Sequence, residues 1–194
     1  YIMSPKDLCT IDFMDKIIDA GVKVFKIEGR ARSAEYVKRC AQCYRQAADA
    51  VCDGTYTPEL AGELKDRLAE VFNRGFWDGY YQGAYLGQWS DVYGSQATRT
   101  KVYCGKVTNW FDKIGVAEIT VESSPLSVGD EVMAIGNTTG VVEFRIEDMR
   151  VDFKSVDHAP KGVRCSVALG KNIINGPQDT KLRRGDKVYI WEKV

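Results

Sequence analysis

Two charged side chains at the end of an apolar run are well suited to bind an anionic ligand. Glu28 and Arg30 flank Gly29 directly after the apolar run Val22-Lys23-Val24-Phe25-Lys26-Ile27. Such a run predicts a buried strand, because parallel strands that are covered on both faces have this composition. Groups at the carboxyl end of a strand lie where α/β folds place their chemistry. Glu28 and Arg30 therefore form either an ion pair at the sheet edge or a site for a carboxylate or phosphate.

Thiols are the second group of residues that could do chemistry. The six cysteines are Cys9, Cys40, Cys43, Cys52, Cys104 and Cys165. Cys40 and Cys43 form a Cys-x-x-Cys pair in a predicted helix, but no second pair at ligand spacing accompanies it, so the evidence for a metal is weak. Cys40 lies on an apolar stripe, and Cys104 and Cys165 lie in predicted strands. We interpret these three as core residues.

Hydrolytic machinery is not visible in the sequence. There is no His-Glu-x-x-His or Gly-x-Ser-x-Gly motif, and the single histidine, His158, lies in a polar stretch that predicts a solvated loop. Equal numbers of basic and acidic residues, 27 of each, give no net field that would require nucleic acid or an anionic membrane. Scattered cysteines without a signal peptide or a long apolar run favour a cytoplasmic protein without membrane partners.

The first part of the chain is predicted to contain three helices and one strand. Ser4-Pro5-Lys6-Asp7 predicts a capped helix start, and a second helix should begin after Ser33 and end at Asp53-Gly54. Thr57-Pro58-Glu59 predicts the start of a third helix. Together with the strand at 22–27, these helices resemble αβ steps of a barrel.

An aromatic and glycine-rich stretch follows at 76–93, and we assign 83–98 to a linker. The stretch is either an extended connection held by aromatic contacts or a base-stacking platform, although it contains no interleaved basic residue.

After Arg99 the pattern changes to short β-branched runs separated by turns, which predicts a small antiparallel β-barrel. Gly136-Asn137-Thr138-Thr139-Gly140 predicts a hairpin turn. Gly129-Asp130 and Gly185-Asp186 each predict a turn into a strand, and this arrangement resembles the second-domain barrels of translation elongation factors. The predicted strands are 102–107, 115–121, 131–135, 141–146, 163–169 and 187–191.

Several motifs in the first 85 residues resemble the U32 "peptidase" family. They are Ser4-Pro5-Lys6-Asp7-Leu8-Cys9, Ala20-Gly21-Val22, Lys26-Ile27-Glu28-Gly29-Arg30, Ser33-Ala34-Glu35-Tyr36-Val37 and Arg74-Gly75-Phe76. The resemblance implies an α+β chain: the C-terminal part of a TIM-type (β/α) barrel at 1–82, the linker, and an appended β-barrel at 99–194. It also implies that the front half of the barrel lies upstream of residue 1.

Family members that hydroxylate RNA bases are similar in carrying an iron–sulfur cluster held by four cysteines. By its position in Asp7-Leu8-Cys9, Cys9 is a candidate fourth ligand, although a buried structural thiol explains it equally well. The other ligands would lie upstream, so we expect no cofactor in this chain alone. Because these members use prephenate as a hydroxyl source, the resemblance gives Glu28 and Arg30 a role in binding that dicarboxylate.

The resemblance favours a full-length protein that converts the wobble uridine of tRNA to 5-hydroxyuridine, with the β-domain positioning the RNA. One alternative is a collagenase-like peptidase, as the family name suggests, and another is a non-catalytic RNA- or protein-binding module. We expect the 194-residue chain alone to be inactive, because two αβ steps cannot close an eight-stranded barrel. Its uncovered helical stripes should either collapse on the predicted strand at 22–27 or favour self-association.

Overall fold

A computed structural model describes residues 4–194 and divides them into two compact units. The first extends to Arg99 and includes Val194, and the second spans Thr100–Lys193. The chain is thus of the α+β class, with its α-helices in the first unit and a large antiparallel sheet, with one 3₁₀ turn at Gly170–Asn172, in the second. In the part of the chain that is described, no helix is both long and apolar enough to cross a bilayer.

The first unit is built from helices around one apolar cluster. Its elements are β1 (Asp7–Leu8), a 3₁₀ helix (Ile11–Phe13), α1 (Met14–Asp19), α2 (Ala34–Cys52), α3 (Pro58–Ala69) and β2 (Phe76–Trp77). Strands β1 and β2 pair in parallel. The buried cluster contains Cys9, Ile11, Met14, Cys40, Cys43, Ala47, Leu64 and Leu68. These side chains recur at helical spacing, which is why α1, α2 and α3 each bury one face.

The predicted limits of α2 and the predicted start of α3 are confirmed. Helix α2 begins directly after Ser33 and ends at Asp53, and the following Gly54 adopts φ +70°, a left-handed conformation that glycine tolerates well. In front of α3, the Thr57 hydroxyl accepts a hydrogen bond from the Leu60 amide at 3.2 Å. Pro58 occupies the first helical position, where it has no amide to leave unpaired.

The predicted helix start at Ser4-Pro5-Lys6-Asp7 is wrong. Asp7 lies in β1 opposite Phe76, and the first helical turn begins at Ile11. The Asp7 carboxylate accepts the backbone N–H of Arg74 at 2.9 Å, so it does not cap a nearby helix. A long-range contact has replaced the local one that the sequence suggested.

The predicted strand at 22–27 is also wrong for the described structure. This segment has no regular secondary structure, and Val22 and Val24 are 42% and 85% exposed. A strand needs partners for its backbone N–H and C=O groups, and no strand among residues 4–194 pairs with this segment. A TIM-type barrel is therefore not formed by the described residues, and it stays a prediction for the longer protein.

The second unit is organised around an antiparallel sheet. In its described residues nine strands follow the order β12-β7-β6-β13-β3-β4-β11-β8-β9, and β5 pairs separately with β10. The strands are β3 (Arg99–Phe111), β4 (Val116–Val121), β5 (Leu126–Ser127), β6 (Glu131–Gly136), β7 (Gly140–Arg145), β8 (Met149–Val151), β9 (Lys154–Ser155), β10 (His158–Ala159), β11 (Arg164–Ala168), β12 (Ile173–Asn175) and β13 (Lys187–Lys193). The six predicted strands are confirmed as parts of β3, β4, β6, β7, β11 and β13.

The repeated Gly-Asp turns perform the same structural task twice. Gly129 and Gly185 adopt φ +97° and +93°. The Asp130 carboxylate accepts the Ser127 amide at 2.8 Å, and the Asp186 carboxylate accepts the Arg183 amide at 2.7 Å. Each aspartate thereby closes its own turn three residues back and directs the chain into the next strand. Asp186 also accepts a 2.6 Å hydrogen bond from the Thr139 hydroxyl in the β6–β7 hairpin.

Candidate functional site

A cavity of about 570 Å³ in the first unit brings together the three site residues predicted from the sequence. Cys9 follows β1, and Glu28 and Arg30 lie in the segment between α1 and α2. The cavity wall also contains charged residues for which the sequence predicted no site role, namely Asp7, Lys26, Arg32 and Arg74. The cavity wall thus includes residues before α1, residues between α1 and α2, and residues after α3.

Asp7 is the carboxylate that organises the basic side of the cavity. One of its oxygens accepts hydrogen bonds from the Arg74 side chain, at 2.6 Å from Nη2 and 3.2 Å from Nε. The other accepts the Arg74 amide, and Arg32 Nη2 lies 4.0 Å from the first oxygen. These side chains are only 19–29% exposed, so the charges interact in partly dehydrated surroundings. Asp7 therefore positions the Arg74 guanidinium through hydrogen bonds and places a negative charge near the Arg32 guanidinium.

Arg32 is further fixed by aromatic rings. Its guanidinium carbon lies 3.9 Å from the centroid of the Phe72 ring and 5.5 Å from that of Tyr36. Stacking of this kind holds the plane of the guanidinium while its edge stays available for hydrogen bonds. Arg32 is thus orientated before any ligand arrives.

Glu28 and Arg30 form a loose, solvent-exposed pair. The Arg30 amide donates to a Glu28 carboxylate oxygen at 2.9 Å, and Arg30 Nε lies 3.9 Å from the same oxygen. The side chains of Arg30 and Glu28 are 88% and 62% exposed, so their attraction is screened by water. This geometry is not the bidentate pair that would fix a sheet edge, and the Arg30 guanidinium can turn to another anion.

Basic side chains outnumber acidic ones in the cavity wall. Its wall contains four basic side chains, from Lys26, Arg30, Arg32 and Arg74, against the two acidic side chains of Asp7 and Glu28. Apolar and aromatic groups line the rest, including Phe25, Phe76 and Tyr81. A cavity of this kind suits an organic ligand that carries negative charge.

The thiols beside the cavity are buried and protonated at neutral pH. Burial raises the pKa of Cys9 and of Cys43, and it raises the pKa of Cys40 to about 11. The Tyr44 hydroxyl lies 3.8 Å from the Cys9 sulfur, to which it donates, and accepts the Thr10 amide at 3.0 Å. Because a thiol needs a lowered pKa to act as a nucleophile, these groups are suited to packing.

An iron–sulfur cluster requires several thiolates that converge on one point. Among residues 4–194, no group of three or more histidine, cysteine or acidic side chains is arranged to hold a metal. The residues present therefore do not fit a cluster by themselves. Cys9 as a ligand stays a prediction, and its surroundings match the alternative of a structural thiol.

Thiol labelling tests this picture of the cysteines. Cys52 is exposed, whereas the other five are buried. We expect iodoacetamide at pH 7.5 to modify Cys52 quickly and the buried thiols slowly, because both burial and raised pKa values limit reaction. Mass spectrometry should show one fast adduct on the folded chain and six in guanidinium chloride. Rapid labelling of Cys9 or Cys40 in the folded chain would contradict it.

Of the remaining predicted features, only Phe76 and Tyr81 of the aromatic stretch contribute to the cavity wall. His158 is exposed, as expected, but it lies on the short strand β10 and not in a loop, with Nδ1 3.1 Å from the Ser127 hydroxyl. The aromatic stretch is held by backbone hydrogen bonds to the start of the chain, from Lys6 to Gln88 at 3.0 Å and from Ser90 to Ser4 at 2.8 Å. Tyr85 is 96% exposed, so aromatic packing does not hold this side chain.

Comparison with known proteins places these residues in a family. The profile of Peptidase family U32 matches residues 1–90. A protein of Porphyromonas gingivalis named "Collagenase" is 50% identical over 193 residues, which cover 100% of this chain and 44% of that protein. The "tRNA hydroxylation protein P" of Haemophilus influenzae is 30% identical over 186 residues, which cover 94% of this chain and 38% of that protein.

Among solved structures, the C-terminal domain of a putative U32 peptidase of Geobacillus thermoleovorans aligns with a TM-score of 0.38 and 16% identity, covering 44% of this chain and 95% of that domain. The match of residues 1–90 to the profile of Peptidase family U32 confirms the resemblance seen in the sequence motifs. The chain spans about half the length of the curated relatives that it matches.

Proposed function

We propose that the longer protein hydroxylates the wobble uridine of tRNA, with prephenate as the source of the hydroxyl group. The observation that carries the proposal is the basic character of the cavity wall. Three arginines, Arg30, Arg32 and Arg74, face two acidic side chains there. Relatives named for tRNA hydroxylation align with 94% of this chain, which supports the choice of reaction.

The basic side chains would act as receptors for the ligand's carboxylates. Prephenate is a dicarboxylate, and the planar guanidinium group of arginine matches a carboxylate with two parallel hydrogen bonds. Arg30 is the mobile partner in this proposal, because its contact with Glu28 is weak and exposed. Arg32 is the fixed partner, because its guanidinium stacks on the Phe72 ring.

Other parts of the longer protein would complete the site. A TIM-type barrel would surround the segment at 22–30, and an iron–sulfur cluster would supply redox chemistry. The second unit would position RNA. The 194-residue chain alone should then bind ligands but not turn them over.

A collagenase-like peptidase is the second candidate, favoured by the name of the relative that is 50% identical. Peptide hydrolysis needs an activated nucleophile, a metal-bound water or a carboxylate pair. The cavity wall presents protonated thiols, and the chain's histidine is not part of that wall. Its two carboxylates already accept hydrogen bonds from arginines, Asp7 from Arg74 and Glu28 from the Arg30 amide. The described residues therefore support anion binding better than proteolysis.

The test is genetic and chemical. In a host strain lacking the gene for the full-length protein, nucleosides from total tRNA should contain no 5-hydroxyuridine or its derivatives by mass spectrometry. Expression of the full-length protein should restore them. The purified full-length protein should leave denatured collagen intact. Unchanged tRNA hydroxylation in the deletion strain, together with collagen cleavage by the purified protein, would support the peptidase instead.

A further inference from the structure

The hairpin that joins β8 to β9 has an unusual residue at its tip. Val151 pairs with Lys154, so Asp152 and Phe153 form a two-residue turn. Both adopt a left-handed backbone, with φ +49° and +65°. Turns of this geometry favour asparagine followed by glycine, because a Cβ atom meets the following carbonyl oxygen in this conformation. Phenylalanine is thus placed where glycine would relieve strain.

Packing does not explain this choice. The Phe153 side chain is 98% exposed, and its neighbours Asp152, Lys154 and Ser155 are exposed as well. The ring therefore stabilises neither the core nor an apolar surface patch. A side chain with a strained backbone and full solvent exposure contributes little to the free energy of folding. An exposed aromatic ring of this kind is suited to contact with a binding partner.

We propose that Phe153 is a stacking platform for an unpaired base of RNA. A base offers a flat π-face and needs only one ring beneath it, whereas a protein partner's binding hot spot needs a dehydrated apolar surround. The polar rim of this tip lacks such a surround. The inference rests on the proposed function for its choice of RNA as the ligand.

Basic side chains near the tip can meet the phosphates. Lys154 follows Phe153 directly and is exposed. Arg150 lies in β8 opposite Ser166 of β11, and Arg164 lies two residues before Ser166, towards the end of the sheet where the turn is. Arg150 and Arg164 are 56% and 70% exposed, and each has an acidic neighbour, at 3.3 and 3.8 Å respectively. Stacking rather than charge should therefore supply most of the binding at this tip.

The experiment separates binding from folding. Binding of a fluorescein-labelled tRNA anticodon stem-loop to the full-length protein would be measured by fluorescence anisotropy. Phe153→Gly should weaken the Kd about tenfold, the loss expected for one stacked base. The same change should raise the melting temperature by about 2–4 °C, because glycine relieves the backbone strain. Phe153→Trp should retain binding.

Ile114→Ala is the matched control, because Ile114 is a 69% exposed apolar side chain in the turn between β3 and β4. It should leave the Kd unchanged. The inference is overturned if Phe153→Gly binds RNA like the wild type, a result that would favour a protein partner for the tip. It is also overturned if Phe153→Gly and Ile114→Ala weaken RNA binding equally. A wild-type protein that hydroxylates tRNA but binds the stem-loop independently of Phe153 overturns this inference alone.

Discussion

Replacement of Asp7 by alanine should destabilise the first unit by about 3 kcal/mol, because the change removes a partly buried carboxylate that accepts three hydrogen bonds from Arg74. Arg74 would lose two side-chain hydrogen bonds and one backbone hydrogen bond to that carboxylate. Its charge would then remain in surroundings where its side chain is only 29% exposed. Urea unfolding of the 194-residue chain, followed by circular dichroism, measures the effect.

A matched control comes from a surface ion pair. Asp49 binds Arg45 one helical turn away, and the two side chains are 48% and 78% exposed. Asp49→Ala should be close to neutral, because exposed pairs of this kind are screened by solvent. If Asp7→Ala and Asp49→Ala shift the unfolding midpoint by the same amount, Asp7 does not organise the cavity.

Periodic elements were predictable from the sequence because local chemistry determines them. The apolar stripe of α2 and the Thr57-Pro58 start of α3 need no knowledge of distant residues. The same holds for the Gly-Asp turns of the second unit, in which each aspartate bonds to an amide three residues back. The strands between these turns follow from alternation and β-branched side chains.

Elements that depend on distant partners were not predictable. Asp7 carries the sequence signature of a helix start, yet its carboxylate binds Arg74, which is 67 residues away in the chain. The run at 22–27 has strand composition, but composition cannot supply a neighbouring strand. Both errors have one cause, because each depends on a residue far away in the chain. Asp7 binds a distant arginine in place of the nearby amides, and the run at 22–27 has no partner strand among residues 4–194.

The candidate site was partly predictable. Cys9, Glu28 and Arg30, which the sequence singled out separately, all line the cavity. Arg32 and Arg74 were missed because their role comes from Asp7 and Phe72, which only folding brings close. Two local signals were available: Arg32 lies two residues beyond Arg30, and Arg74 belongs to the motif Arg74-Gly75-Phe76.

The most direct test of the proposed site uses Arg30. Among residues 4–194 its exposed guanidinium has only a 3.9 Å contact with Glu28, so Arg30→Ala should leave the melting temperature unchanged. Loss of one guanidinium–carboxylate contact should lower hydroxylation about tenfold or more. Arg45→Ala removes a similarly exposed arginine from α2 and should have no effect on hydroxylation.

The decisive measurement is the 5-hydroxyuridine content of tRNA, by mass spectrometry, in the deletion strain that expresses each full-length variant at low level. We predict a wild-type content with Arg45→Ala and a content reduced about tenfold with Arg30→Ala at equal protein abundance. Equal 5-hydroxyuridine content in both strains would contradict the assignment of this cavity as the site that serves tRNA hydroxylation.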